Sequence, residues 1–249
     1  MYTKRYQVEY FMCHQNGLLK PTYLIHMLSD IMGRNAASYG ASFEYHLKRN
    51  LVWVLVNYEI DIKRLPRVDE VIIVGTLPYS FKKMYGYRVY QIRDSNGEVL
   101  VEGKGKFVLL NYQTKTLAIP NQELLDLFID AHKEPLALPF KRIRSMEKSS
   151  LIYEQETIVN PSYIDVNGHM NNAIYMALAY DFSPKDFFSL EAVNRIYISY
   201  KKEAFVDDPL TLRYFQDTNL KQVQILSKDS LLSEITIETK LKSMHQVND

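Results

Sequence analysis

The sequence has a single cysteine, Cys13, among 249 residues. That excludes an intramolecular disulfide and a cysteine-based metal cluster, and nothing calls for an oxidising compartment. Long apolar runs are lacking as well, and no stretch approaches the length of a membrane span. Net charge nearly cancels, at +1 from 30 basic and 29 acidic residues, so no global field points to nucleic acid. No phosphate-cradling glycine loop is present. His14, His26, His46, His132 and His245 have no acidic or cysteine partners at metal-ligand spacing. The opening residues Met1-Tyr2-Thr3-Lys4-Arg5 lack the apolar core of a signal peptide and the character of a transit segment. The expectation is a cytoplasmic protein with no cofactor, no metal and no membrane insertion.

What is present is a globular composition, 47% hydrophobic and 24% charged, with enough chain for one large domain or two ordinary ones. The 19 tyrosines and 11 phenylalanines favour strands and an aromatic interior. Tyr6, Val8 and Tyr10 alternate with polar residues as in a half-buried strand. Pro21 suits a first helical turn, and Leu24, Met27, Leu28, Ile31 and Met32 recur at helical spacing, predicting a helix of about four turns. Strand patterns follow at Leu51–Ile62, Val71–Leu77, Tyr85–Ile92 and Val99–Leu110, the last two joined by the turn signal Asp94-Ser95-Asn96-Gly97. Asn121–Ile129 reads as a short helix. A connector with Pro135 and Pro139 and the basic stretch Lys141–Lys148 then mark a boundary.

Beyond the boundary the order repeats. Leu151–Val159 reads as a strand, Asn172–Tyr180 as a helix, and Val193–Lys202, Leu210–Gln216, Gln222–Lys228 and Leu231–Lys240 as strands. Residues echo too: Asn16-Gly17 matches Asn167-Gly168, and Ile62–Asp69 matches Tyr200–Asp207. The chain reads as a duplication, with halves at 1–135 and 148–249 and a shorter helix region in the second. Under this alignment His14 stands where the second half has Asp165, Leu18 where it has His169, and Leu65 where it has Glu203. Three candidate catalytic groups are absent together from the first half, which implies one working site per chain.

The densest chemistry lies in Asp165-Val166-Asn167-Gly168-His169-Met170-Asn171-Asn172, which runs into a helix. An acid, an amide and an imidazole on alternate residues share a face if extended, or converge if Gly168 bends the chain. Such a cluster at a helix start also has a plain structural reading, as a polar cap. Asn171 and Asn172 fit capping, and Tyr175 fits core packing.

With Tyr175 and the downstream Tyr200-Lys201-Lys202-Glu203, this motif resembles the acyl-ACP thioesterases, bacterial relatives of the plant fatty-acyl enzymes. The resemblance covers nearly the whole chain. It implies an α+β tandem double hotdog, each half a curved antiparallel sheet wrapped around a central helix. It implies hydrolysis of fatty acyl thioesters of acyl carrier protein in fatty acid biosynthesis, without a cofactor, and it permits a homodimer. Asp165, Asn167, His169 and Glu203 match the family's catalytic positions. The plant members commonly carry a cysteine after the glutamate; here Ala204 stands there, so a cysteine nucleophile is not to be expected at that position.

Thioester hydrolysis requires an activated water or carboxylate nucleophile and donors for the oxyanion. Glu203 can deprotonate water directly or through His169, Asn167 can orient His169 or donate to substrate, and Asp165 can orient a partner or attack. Water activation by Glu203 and His169 is the favoured expectation. The backbone N–H groups of Met170, Asn171 and Asn172 are the expected oxyanion donors. Trp53, Met27 and Met32 fit an acyl tunnel or ordinary core. Lys82, Lys83, Arg142, Arg144, Lys148, Lys201 and Lys202 fit an acidic carrier protein or a solvated face.

Overall fold

Among the described residues, alternating burial along the strands builds one antiparallel sheet that joins both halves. The computed structural model describes residues 1–132, 134, 136–185, 187–190 and 192–239; Pro135, Lys240 and His245 lie outside the described residues. The first half supplies strands β1 (Tyr2–Gln7), β2 (Leu51–Ile62), β3 (Val71–Lys82), β4 (Tyr85–Asp94) and β5 (Val99–Asn111). Its helices are α1 (Pro21–Ser38), α2 (Phe43–Lys48) and α3 (Gln122–Leu127). The second half supplies strands β6 (Leu151–Ile158), β7 (Val193–Tyr200), β8 (Pro209–Gln216), β9 (Leu220–Ser227) and β10 (Ser230–Thr239), with helix α4 (Asn172–Asp181). The ten strands run β1-β3-β4-β5-β2-β7-β10-β9-β8-β6. Each half has the same internal order, and β2 and β7 join the halves, pairing antiparallel from Asn57 opposite Ser199 to Asp61 opposite Arg195. This is the double hotdog expected from the resemblance.

α1 forms because Leu24, Ile25, Met27, Leu28 and Ile31 fall on one stripe and are buried there. Pro21 at the start sacrifices an N–H that has no intrahelical partner anyway. Burying each large side chain contributes about 1.5–3 kcal/mol, so the stripe outweighs the absence of a side-chain cap. The helix runs 18 residues, longer than the four turns expected, while α4 has 10. α1 also packs on α4, and the larger apolar core draws on both halves, with a smaller cluster around Leu109, Leu124 and Phe128 beside it.

Three elements differ from expectation for identifiable reasons. β1 ends at Gln7, opposite Val71 where β3 begins, so Tyr10, read as part of a half-buried strand, lies instead in a 3-10 turn and is exposed. α2 is six residues long, too short for apolar periodicity to register; its signal is local, with Ser42 accepting from Tyr45 N and Glu44 in the first turn. β3 continues through Pro78, where the strand pattern was expected to stop. β1 pairs with β3 only as far as Thr76, so Pro78 faces no partner on that side and its missing N–H costs no ladder bond. The register shift between Pro78 and Ser80 absorbs the irregularity.

The duplication is written in the backbone hydrogen bonds. His14 N donates to Leu18 O as Asp165 N donates to His169 O, and Gly17 N to His14 O as Gly168 N to Asp165 O. Leu19 N donates to Pro66 O as Met170 N donates to Ala204 O, each at 2.8 Å. Asp69 and Asp207 both have φ 65°. The frame is retained, and the side chains hung on it have diverged.

Gly17 and Gly168 hold the two matching turns at φ 77° and 81°. A Cβ at Gly17 would make only ordinary contact with Val68, and one at Gly168 would meet nothing. Gly17→Ala and Gly168→Ala should therefore each lose about 1 kcal/mol from backbone strain alone. Equal and modest shifts in urea denaturation are the expected result; a much larger loss at one turn would show that the two are not equivalent.

Candidate active site

The turn from Asp165 to Asn172 is not extended. Asp165 N donates to His169 O at 3.1 Å and Gly168 N to Asp165 O at 3.0 Å, closing a tight loop. The Asp165 carboxylate fastens it from inside: Oδ1 accepts from Asn167 N at 2.8 Å and Oδ2 from Asn171 Nδ2 at 3.3 Å. Asn171 also caps α4, its Oδ1 accepting from Ala173 N at 2.9 Å. Asp165 thus serves the shape of the turn with both oxygens.

Glu203 reaches the same place from the connection after β7. Leu232 O anchors that connection by accepting from Lys201 N and Lys202 N. Three further bonds bind it and the end of β7 to the turn and α4: Met170 N to Ala204 O at 2.8 Å, Tyr175 OH to Lys202 O at 3.3 Å, and Tyr200 OH to Asn172 O at 3.0 Å. The result places His169 Nε2 3.7 Å from Glu203 Oε1, with side chains 17% and 27% exposed. His169 Nδ1 faces Met170 O at 3.3 Å. Among the described residues no hydrogen bond links Asn167 to His169.

A third group enters from the first half. Lys115 Nζ lies 3.5 Å from Glu203 Oε2, so the carboxylate stands between an imidazole and an ammonium. Sequence reading missed Lys115, because its contact spans 88 residues and nothing local marks it. Tyr175 is buried beside Tyr200, as core packing predicts, and burial together with the Glu203 charge pushes its hydroxyl pKa up.

The expected oxyanion donors need correction. Met170 N is committed to Ala204 O and Asn171 N to Tyr163 O. Neither N–H is free to meet a substrate. Asn172, the first residue of α4, keeps an N–H of the kind that has no partner within a helix.

These groups line a cavity of about 750 Å³, within the range of small-molecule sites. Asp165, Asn167, His169, Asn172 and Glu203 come from the second half, while Met32, Trp53, Leu55 and Phe107 of the first supply apolar wall. Met27 is instead buried in the core. Of the basic residues singled out, Lys201 and Lys202 border the cavity. Cys13 is partly buried and free, away from these lining residues. Among the described residues no helix is long and apolar enough to cross a membrane.

An acid–histidine pair on the wall of a largely apolar cavity suits hydrolysis of an ester or thioester with a long alkyl arm. Comparison with known proteins agrees with that chemistry. The family model for the acyl-ACP thioesterase N-terminal domain matches residues 1–128, and that for the C-terminal domain matches residues 146–246. The chain is 25% identical over 214 residues to the chloroplastic oleoyl-acyl carrier protein thioesterase of Coriandrum sativum, covering 79% of this chain and 58% of that protein. It is 23% identical over 222 residues to oleoyl-acyl carrier protein thioesterase 1 of Arabidopsis thaliana, covering 83% of this chain and 61% of that one. The chain thus spans about three-fifths of the length of these relatives. Among solved structures, a putative oleoyl thioesterase from Lactobacillus plantarum superposes with a TM-score of 0.85 at 23% identity, over 97% of both chains. The 12:0-ACP thioesterase of Umbellularia californica also gives 0.85, at 17% identity over 97% of both. At such identities the structural likeness speaks for the fold.

Asn171→Ala should cost about 1 kcal/mol by removing the α4 cap, and should loosen the turn by freeing Asp165 Oδ2. Chemical denaturation measures the first effect. An unchanged midpoint would show that the cap contributes nothing.

Proposed function

We propose that this chain, which belongs to the acyl-ACP thioesterase family, hydrolyses the thioester joining a fatty acyl chain to acyl carrier protein. The products are the free fatty acid and the carrier's thiol, in fatty acid biosynthesis and in the cytoplasm. The observation that carries this reading is the approach of His169 Nε2 to Glu203 Oε1, 3.7 Å, at the wall of the apolar cavity. In the duplicated frame the first-half counterparts of these two residues are Leu18 and Leu65, both buried.

In the proposed reaction Glu203, directly or through His169, takes a proton from a water as its oxygen attacks the thioester carbonyl carbon. The carbonyl oxygen gains the negative charge, and the Asn172 N–H with the Asn167 amide are the donors offered to it. Collapse of the intermediate breaks the C–S bond, and the proton held by the pair passes to the departing sulfur. Asp165 is a positioning residue, since both its oxygens are already engaged. The first half houses the acyl arm, and the second performs the chemistry. The exposed Lys201 and Lys202 at the cavity border suit an acidic carrier.

A free-thiol release assay on acyl carrier protein and coenzyme A thioesters tests the reading. Turnover is expected to be faster on the carrier protein; faster coenzyme A esters would overturn the carrier assignment, and no turnover by folded protein would overturn the activity. His169→Ala and Glu203→Gln should each lower kcat by about 100-fold or more with the fold retained. Wild-type rates in Glu203→Gln would remove it from the reaction. Leu18→His should create no second site, because Leu65 still supplies no carboxylate.

A further inference from the structure

Arg88, on β4, is 6% exposed. Its Nη1 donates to Asn35 Oδ1 at 2.5 Å and to Thr76 Oγ1 at 3.2 Å, and both acceptors are neutral and buried. Among the described residues no carboxylate bonds or pairs with it. A guanidinium presents five N–H donors in a fixed fork, and among the described residues only those of Nη1 meet a protein acceptor. Arginine is almost never so buried without a paired charge, and leaving it so is costly. Burial also pulls its pKa down, against the small counter-effect of nearby tyrosines.

The surroundings indicate what would satisfy it. Arg88 lines a small pocket of about 40 Å³ whose other walls include Pro78, Phe81 and Phe128. That volume exceeds what one water needs and is enough for a hydroxyl or carboxylate. Gly86 lets the rings of Phe81 and Trp53 pack close beside the pocket, since a Cβ there would come within 3.2 Å of both. Met32, Ala36, Trp53 and Phe107 line both this pocket and the large cavity. The pocket therefore adjoins the first-half wall of the cavity, and no residue of the Asp165–Asn172 turn borders it. Met32, unbranched and flexible, forms part of the partition.

We propose that this pocket receives the distal end of an acyl chain that carries an oxygen there, a hydroxyl or a carboxylate, which accepts hydrogen bonds from Arg88. The proposal rests on the reading that the large cavity holds an acyl chain. Apolar walls with one cation match a guest that is alkyl along its length and polar at its tip. A plain methyl end would exclude water from the guanidinium without offering an acceptor. A site built around a buried donor discriminates strongly against the analogue lacking the matching oxygen.

Binding decides this independently of turnover. Isothermal titration of the full chain would use acyl N-methyl amides, which present no anion at the head, in plain, ω-hydroxy and ω-carboxy forms over a series of lengths. At the best length, one ω-oxygenated amide should bind at least about tenfold more tightly than the plain one, and which of the two identifies the oxygen. Arg88→Met should erase the difference and Arg88→Lys should restore part of it. Equal or tighter binding of the plain amide at every length, as when Arg88 is solvated by buried water only, would overturn the proposal, as would no binding of any amide. If Arg88→Met fails to fold, the wild-type comparison alone is decisive. Hydrolysis of plain acyl thioesters, measured separately, leaves the thioesterase reading standing when this proposal fails.

Discussion

Everything in this molecule depends on the antiparallel pairing of β2 with β7. It is the ladder that turns two five-stranded halves into one sheet, and it runs from Asn57 opposite Ser199 to Asp61 opposite Arg195. β2 carries Trp53 and Leu55 into the cavity wall, and β7 ends at Tyr200 and leads directly to Glu203. The register between them therefore sets where the carboxylate stands relative to the space it faces. A slip of one residue would turn the buried Tyr58 and Ile60 outward, which is why the register is well specified. The Arg195–Asp61 ion pair at the end of the ladder is partly exposed and adds little stability, but it matches this register and no neighbouring one.

The retained backbone frame makes the divergence of the halves legible as chemistry. In the second half the turn carries Asp165 and His169, and the matching connection carries Glu203; in the first, Leu18 and Leu65 are buried at those places. The interiors have diverged in the opposite sense. Around α4, Phe187 and Tyr214 fill the space, with the Tyr214 hydroxyl bonded to Ala179 O at 3.2 Å. Around α1 the interior opens into the cavity. Empty volume in a core is destabilising. The acid–histidine pair lies in the second half, and the first supplies much of the cavity's apolar wall.

Much of this was legible in the sequence. Ten strands, α1, α3, α4 and the repeat followed from periodicity and turn residues, because those signals are local and summed over many positions. α2 was not, since six residues carry no periodicity, and the run of β3 past Pro78 depended on how far a different strand pairs with it. Asp165, His169 and Glu203 stood out as residue types, yet their geometry did not. Nothing in the order of residues says that Met170 N and Asn171 N are spent on Ala204 O and Tyr163 O. Lys115 and Arg88 were invisible for the same reason: a lysine in a turn and an arginine in a strand acquire meaning only from what the fold places beside them.

The position of Lys115 also bears on why the halves are not separable. Glu203 lies between His169, 3.7 Å away in its own half, and Lys115, 3.5 Å away in the other. Both contacts are partly solvated, so neither is worth much as a source of stability. Their value lies in placement, because Lys115 is held at φ 57° in the turn after β5, and β5 pairs along β2. The cation thus reaches the acid through the same β2–β7 ladder that aligns the cavity. A second half folded alone would keep Glu203 and His169 but would lose the ammonium beside the acid and the apolar wall before it.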